Sequence, residues 1–167
     1  MVNMKLLLAS NSPRGRELIQ GLDIPVEIVK LKDIDETHPE DLKAGDIPLY
    51  IANLKMSAYD MPLEEGEVLV TADTVVWLDG ELLEKPHSES EACAMLRKLS
   101  DKTHQVYTAV CLRSAFDSTS FVCESDVTFG HLTDEQISYY VEKYSPLDKA
   151  GAYGIQEWIG FVGIEGI

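Results

Sequence analysis

The chain has 167 residues, of which 45% are apolar and 26% are charged, and its formal net charge is −15. This composition excludes an intrinsically disordered chain and is sufficient for one sizeable hydrophobic core. The negative charge argues against general nucleic-acid binding, and no apolar run approaches the ~20 residues that a membrane span needs. Three cysteines without a C-x-x-C pair indicate neither a disulfide framework nor a zinc site. We therefore expect a cytoplasmic globular protein that binds neither nucleic acid nor a membrane.

The N-terminal part of the chain predicts alternating strands and helices. A strand over Lys5–Ala9 precedes a helix in which Ser12 is the N-cap and Pro13 is the first residue. The buried face of this helix is predicted to consist of Leu18, Ile19 and Leu22, with Gly21 near its end. The sequence then predicts a strand over 26–31, an acidic loop over 33–46 and a helix over 47–59 that carries Lys55.

A β-hairpin follows in the middle of the chain. The run 68–78 is strongly apolar and rich in β-branched residues, and it contains a single acid, Asp73. The Asp79-Gly80 pair is typical of a tight hairpin turn, so the chain is expected to fold back over 81–85. This hairpin is the strongest strand prediction in the sequence.

Two capping boxes begin helices in the C-terminal half. Ser88 with Glu91 starts a helix that ends near 99, and Thr133 with Gln136 starts one that ends near 144. Between them, 104–112 and 121–129 are predicted as two long strands, and the glycine-rich tail is expected to return to the sheet. The sequence therefore predicts an α/β fold, a single domain with a mixed β-sheet flanked by helices.

The stretch LASNSPRGREL, residues 8–18, combines hydroxyl groups and arginines where a strand passes into a helix. Free backbone N–H groups and the helix dipole favour an anion at such a junction, and arginine side chains match phosphate oxygens. The candidate phosphate ligands are Ser10, Ser12, Arg14 and Arg16. The alternative is an ordinary N-cap with solvated arginines.

Asp73 lies within the apolar stretch VLVTADTVVWL. A carboxylate in such a strand must be paired, hydrogen-bonded or bound to a metal, because an isolated buried charge is very costly. We interpret Asp73 as a functional residue. The alternative is a structural aspartate at a strand end or a β-bulge, or one bonded to the hydroxyls of Thr71 and Thr74.

Other candidate residues have weaker local patterns. Lys85 leaves the second strand of the hairpin, so it is expected either near Asp73 or in solvent. Asp35 and Glu36 offer hard oxygen ligands for Mg²⁺, although acidic loops are commonly just solvated. The glycines of 148–156 allow backbone to approach a flat or phosphorylated ligand, and core packing explains them equally well.

Several of these stretches match one pattern, and together they cover nearly the whole chain. They are LASNSPRGREL, DIDE, LVTADTVVWLDGELLEKP, EACAMLRKLSDKTHQVYTAVCL, SDVTF and YYVEKYSPLDKAGAYGIQ. The sequence resembles the Maf family of nucleotide pyrophosphatases. This resemblance implies an inosine triphosphatase-like fold with a central cleft, as a single domain over 1–167. It also implies hydrolysis of a nucleoside triphosphate to the monophosphate and pyrophosphate, assisted by a divalent cation, Mg²⁺ or Mn²⁺.

The resemblance also assigns roles to individual residues. Asp73 matches the proposed general base, Glu36 a loop carboxylate, and Lys85 a further catalytic residue. Asp73 and Glu36 are expected to hold the cation, and Asp73 to orient or deprotonate the water that attacks the α–β phosphoanhydride. The expected substrate-binding residues are Ser10, Ser12, Arg14, Arg16, Lys55, Thr74 and Gln156.

Three of these positions point to one branch of the family. Arg14, Thr74 and Gln156 are similar to the branch that acts on dTTP and UTP. One alternative is the branch that acts on 7-methyl-GTP. Another is a nucleotide-sensing or interaction protein linked to septum formation, with little turnover. The expected partner is a nucleoside triphosphate, and a homodimer is left open.

Two departures from the family pattern stand out. Family members usually read S-P-R-R, whereas this chain has Gly15 at the second arginine and an arginine at 16. Adjacent helical residues point about 100° apart, so Arg16 does not inherit the direction of a side chain at 15. The chain also ends at GIEGI, where family members usually continue, so we expect a C-terminal segment to be missing.

Overall fold

A computed structural model describes residues 3–167. It contains seven strands: β1 (Lys5–Leu8), β2 (Val26–Ile28), β3 (Glu67–Leu78), β4 (Glu81–Leu83), β5 (Thr103–Arg113), β6 (Ser118–Phe129) and β7 (Ile164–Gly166). It contains five α-helices: α1 (Pro13–Gln20), α2 (Asp46–Ala58), α3 (Glu89–Leu99), α4 (Asp134–Tyr144) and α5 (Trp158–Gly163). Two short 3₁₀ turns, Pro146–Asp148 and Ala150–Ala152, precede α5.

The strands form one mixed sheet. Its order is β2-β1-β3-β5-β6-β7, and β4 pairs with β3. Strand β1 is parallel to both β2 and β3, whereas the pairs β3–β4 and β6–β7 are antiparallel. The predicted α/β class with a mixed sheet flanked by helices is confirmed, and so is the return of the tail to the sheet.

The chain divides into two compact units, which are described separately below. Unit 1 contains the described residues up to Asp73 together with Thr108–Cys123. Unit 2 contains Thr74–Tyr107 and Glu124–Ile167. The long strands β3, β5 and β6 contribute residues to both units.

In unit 1, the alternation of side chains along β1 supplies two apolar faces. Leu7 and Leu69 pack with Ala52 and Met56 of α2, while Leu6 and Leu8 pack on the other side with Ile19 of α1. Successive strand residues point to opposite faces, so a nearly continuous apolar run is what a strand covered on both sides requires.

The predicted buried face of α1 is wrong in two of its three residues. Leu18 and Leu22 are 71% and 58% exposed, and only Ile19 packs against the cluster around Leu6 and Leu8. Strand β2 has only three residues rather than the predicted six, so the sheet offers α1 a narrow apolar surface. The N-cap is confirmed, because the Ser12 hydroxyl accepts a hydrogen bond from the Gly15 N–H.

In unit 2, α3 and α4 pack on the sheet through a cluster that includes Leu96, Leu99, Phe129, Ile137 and Tyr140. The Thr133–Gln136 capping box is complete. At Ser88 only half of the predicted box forms, because the Glu91 carboxylate accepts from the His87 N–H. The Asp79-Gly80 turn is confirmed, with φ of 51° and 85°.

His104 is a polar residue inside the core of unit 2. It is fully buried and stacks against Phe129, and its Nε2 lies 2.6 Å from the Tyr153 hydroxyl. Its Nδ1 is buried without a hydrogen-bond partner among the described residues. Burial lowers the pKa of His104 to about 4, because the charged ring would lose its hydration.

None of the helices in the described part of the chain combines the length and apolar character needed to cross a membrane.

Candidate functional site

The candidate site of unit 1 lies at the edge of the sheet where the parallel strands β1 and β2 end and β3 continues. Leu8 at the end of β1 is in register with Ile28 of β2 and with Val70 of β3. The ladder extends by one further bond on each side, since Ala9 N–H donates to Val70 O and Val29 N–H donates to Leu8 O. The loops that follow β1 and β2 therefore leave the sheet at the edge toward which β3 runs to Asp73. Ligands commonly bind at this carboxyl edge in open α/β sheets.

A buried threonine fixes helix α2 against β3. The Thr71 hydroxyl donates to the carbonyl oxygen of Ala52 at 2.8 Å, and both residues are fully buried. The hydroxyl proton of Thr71 is therefore directed at α2 and not at Asp73. Residues 71 and 73 point to the same face of β3, and Lys55 lies about one helical turn beyond Ala52. This anchor brings Lys55 opposite Asp73.

The Lys55 ammonium contacts both predicted carboxylates. Its Nζ lies 2.9 Å from Asp73 Oδ1 and 3.5 Å from Glu36 Oε1, and it also donates to Ala72 O. The side chains of Lys55 and Asp73 are 18% and 15% exposed, whereas Glu36 is 48% exposed. Asp73 is thus a desolvated carboxylate in mid-strand rather than at a strand end or on the surface.

The acidic loop separates the roles of its two candidate acids. The Asp35 carboxylate accepts hydrogen bonds from the hydroxyl and the N–H of Thr37, and these two bonds lower its pKa. Asp35 therefore stabilises the turn, while Glu36 reaches Lys55. The sequence placed both acids in the loop, but only their local hydrogen bonding tells them apart.

The serine loop, residues 10–16, is closed by its own hydroxyls. Ser12 N–H donates to Ser10 Oγ at 3.1 Å, and Gly15 N–H donates to Ser12 Oγ at 3.3 Å. Arg16 reaches back, with Nη2 lying 3.5 Å from Ser10 O, and Arg14 is half-buried. This loop follows β1, so it belongs to the same edge of unit 1 as Asp73.

Three predicted site residues belong to unit 2. Thr74 follows Asp73 in β3 and is half-buried, whereas Lys85 and Gln156 are exposed. Lys85 lies close enough to Asp148 to affect its titration. Burial disfavours the charged form of Asp148, but the hydrogen bond and the charge of Lys149 oppose it, with a smaller effect from Lys85, and the pKa is lowered.

Comparison with known proteins agrees with the motifs that this site contains. The sequence profile described as "Maf-like protein" matches residues 5–167. The chain belongs to the Maf family. This match runs through every site residue described above, from the serine loop to Gln156.

Proteins similar to this chain include two named "dTTP/UTP pyrophosphatase". The protein from Phocaeicola vulgatus is 55% identical, and that from Bacteroides thetaiotaomicron is 51% identical. Each alignment covers 98% of this chain and 84% of the relative. A solved HAM1 protein from Coxiella burnetii is 14% identical, with a TM-score of 0.47 over 74% of this chain and 70% of that one.

One charged pair of this Maf-family chain was not predicted from its sequence. Lys149 Nζ lies 3.2 Å from Glu157 Oε1, and both side chains are largely buried. The two residues flank an irregular segment without helix or strand periodicity, so no pattern predicted their contact. The glycines between them were the available signal, because they indicated a tightly folded backbone.

Proposed function

We propose that this chain hydrolyses dTTP and UTP to the nucleoside monophosphate and pyrophosphate in the cytoplasm. The observation that carries the proposal is the contact of Lys55 with both Asp73 and Glu36 at the edge where the serine loop also lies. Family membership and the names of the two relatives support the same reaction.

We also propose that Asp73 and Glu36 hold a divalent cation, Mg²⁺ or Mn²⁺. Both offer the hard oxygen ligands that these ions prefer. Among residues 3–167 no group of three histidine, cysteine or acidic side chains is arranged to hold a metal. The pair still fits, because Mg²⁺ usually takes one or two protein carboxylates and fills its shell with water and substrate phosphates. When bound, such a cation neutralises charge that develops on the phosphates.

Asp73 is proposed as the group that orients the attacking water and accepts its proton. Its Oδ1 is held by the Lys55 ammonium, which fixes the direction of the carboxylate. The anchor from Thr71 to Ala52 prevents α2 from carrying Lys55 away from β3. Phosphoryl transfer depends chiefly on positioning and on neutralising charge, and this arrangement supplies both.

The serine loop is proposed to bind the triphosphate. The hydroxyls of Ser10 and Ser12 and the side chains of Arg14 and Arg16 offer donors and positive charge in an otherwise acidic chain. Arginine is suited to this role because its planar donors pair with two phosphate oxygens at once.

Three further residues, all in unit 2, are proposed to act on the substrate. Thr74 and Gln156 are proposed to hydrogen-bond the pyrimidine base, and Lys85 to neutralise phosphate charge. Sites built on such hydrogen bonds reject bases that leave their groups unpaired.

A nucleotide panel tests the proposed function. Pyrophosphate release is measured with dTTP, UTP, CTP, GTP and 7-methyl-GTP, each with Mg²⁺, with Mn²⁺ and with EDTA. We expect turnover of dTTP and UTP with either cation, at least about tenfold above 7-methyl-GTP in kcat/KM, and loss of turnover with EDTA. A preference for 7-methyl-GTP assigns the other branch. Nucleotide binding without pyrophosphate release points to a sensing protein.

The serine loop also gives a prediction for Gly15. A Cβ added at Gly15 would lie 3.5 Å from Ser10 Oγ and 3.7 Å from Ser12 Cβ, which is ordinary contact. An arginine side chain at position 15 would extend from the side of the helix that faces Ser10 and Ser12. Gly15→Arg is therefore expected to lower the KM for UTP about fivefold through one added ion pair with the triphosphate. Steady-state kinetics measure this change.

Gly15→Ala is the matched control for this substitution. Alanine and arginine both favour a helix over glycine by about 0.5–1 kcal/mol, so both variants should melt at a higher temperature. Only the arginine variant should gain affinity. An unchanged or higher KM in a folded Gly15→Arg protein shows that the loop binds the triphosphate in another way.

A further inference from the structure

The segment that carries Gln156 is closed at its two ends by an ion pair within unit 2. Lys149 Nζ lies 3.2 Å from Glu157 Oε1, and the two side chains are 18% and 17% exposed. The contact is electrostatic rather than a hydrogen bond, because Glu157 Oε1 has no hydrogen-bond partner among the described residues. Residues 150–156 thus form a loop whose first and last neighbours attract each other.

The interior of this loop is fixed by contacts with its backbone. Tyr140 of α4 is fully buried, and its hydroxyl accepts a hydrogen bond from Gly154 N–H at 3.1 Å. Burial, and then the nearby Glu157 carboxylate, raise the pKa of this phenol, so it stays protonated. Tyr140 therefore links the centre of the loop to the ion pair that closes it.

Two glycines show how tightly the loop is packed just before Gln156. A Cβ at Gly154 would lie 2.5 Å from Glu157 Oε1 and 3.2 Å from Lys149 Cε, so the ion pair packs directly on this residue. A Cβ at Gly160 of α5 would lie 1.8 Å from the carbonyl oxygen of Ile155. Gly154 and Ile155, which precede Gln156, are therefore fixed by close packing, while the Gln156 side chain itself is exposed.

The same lysine connects this loop to the turn that carries Lys85. Lys149 Nζ also lies 3.0 Å from Asp148 Oδ1, and the charge of Lys85 acts on Asp148. In addition, Gly151 N–H donates to the carbonyl oxygen of Glu84, the residue before Lys85. Charges thus alternate from Lys85 through Asp148 and Lys149 to Glu157.

We propose that Lys149 and Glu157 are positioning residues that hold Gln156 at a fixed place relative to Lys85. The inference rests on the proposed function, in which Gln156 recognises the base and Lys85 the phosphates. The ribose joins the base covalently to the triphosphate, so the distance between the two groups is limited. The residues that bind them must therefore lie at a matching spacing. The pair thereby tunes base selectivity without touching the substrate.

A double-mutant cycle with Gln156 tests this role. Lys149→Met removes the charge and keeps the length of the side chain, and it is expected to raise the KM for UTP about fivefold with kcat unchanged. In a Gln156→Ala background the same substitution should add no further increase, because the group it positions is gone. Lys149→Arg, which restores the charge, should recover most of the affinity.

Lys143→Met serves as the matched control. Lys143 is an exposed lysine of α4 that bonds to the Tyr139 hydroxyl, so its loss removes one charge from unit 2 without opening the loop. Its KM should equal that of the parent protein. An equal rise of KM for Lys149→Met with and without Gln156 means that Lys149 contacts substrate directly and overturns the proposal, as does an unchanged KM.

Amide hydrogen exchange without nucleotide separates this proposal from the proposed function. Lys149→Met should speed exchange at Gly154 and its neighbours, while exchange in α3 stays unchanged. This result is independent of any turnover. If exchange at Gly154 does not change, the ion pair does not hold the loop, even in a protein that hydrolyses UTP. If the parent protein hydrolyses no triphosphate, the proposed function fails, and faster exchange still supports the positioning of Gln156.

Discussion

Replacing Asp73 with asparagine is expected to lower kcat for UTP by at least about 10²-fold, the effect typical of losing a general base. The substitution keeps the size of the side chain and much of its hydrogen bonding, but it removes the negative charge that faces Lys55 at 2.9 Å. The amide can neither accept the proton of the attacking water nor contribute a charge to cation binding. Steady-state kinetics with saturating UTP and Mg²⁺ measure the loss.

The fold of the Asp73→Asn protein must be followed on the same sample. Its melting curve by circular dichroism should remain a single cooperative transition close to that of the parent. Asp35→Asn is the matched control, because Asp35 is an acid of the site loop that bonds to Thr37 rather than to Lys55. This control should keep the parent kcat. A stable Asp73→Asn protein with the parent kcat contradicts the proposed mechanism.

Acidification is expected to destabilise unit 2 through His104. The pKa of its imidazole is about 4 in the folded chain, against an ordinary value of 6.5. Well above pH 6.5 the imidazole is neutral in both the folded and the unfolded chain, so its titration does not reduce the free energy of unfolding. As the pH falls from 6.5 toward 4 the unfolded chain binds a proton that the folded chain excludes. The free energy of unfolding should therefore fall by about 3 kcal/mol over this window.

Urea unfolding at several pH values between 7 and 4 measures this loss. Both tryptophans, Trp77 and Trp158, belong to unit 2, so their fluorescence reports on the unit that contains His104. His104→Gln removes the titrating group, and its free energy of unfolding should depend less on pH. His87→Gln alters an exposed histidine and should keep the full dependence. Equal pH dependence in the parent and in His104→Gln assigns the loss to other groups.

Much of the fold was predictable from local chemistry. The helix with Lys55, the hairpin around Asp79-Gly80 and the Thr133 capping box each depend on residues close together in sequence, so turn and capping preferences were sufficient. The predicted buried face of α1 was wrong because burial depends on the width of the neighbouring sheet. Leu18 has the right spacing, but its side chain is largely exposed.

The candidate site shows the same division. Asp73 could be predicted because a carboxylate in an apolar strand is costly unless it has a partner. The identity of that partner could not be predicted, since Lys55 reaches Asp73 through the packing of α2 against the sheet and the hydrogen bond of Thr71. The ion pair between Lys149 and Glu157 could not be predicted for a related reason. It joins two ends of an irregular segment, where sequence spacing says nothing about distance.

Lys55 gives unit 1 a counter-ion that is part of the chain itself. Two carboxylates brought side by side in a chain with a net charge of −15 would repel each other, and the ammonium between Glu36 and Asp73 offsets that repulsion. In the proposed mechanism, assembly of this acidic pair and binding of a cation are therefore separate equilibria, unlike those of a small zinc domain, which unfolds when its metal is removed. We therefore expect the chain to keep its fold in media poor in divalent ions, and the proposed activity to follow the supply of those ions reversibly.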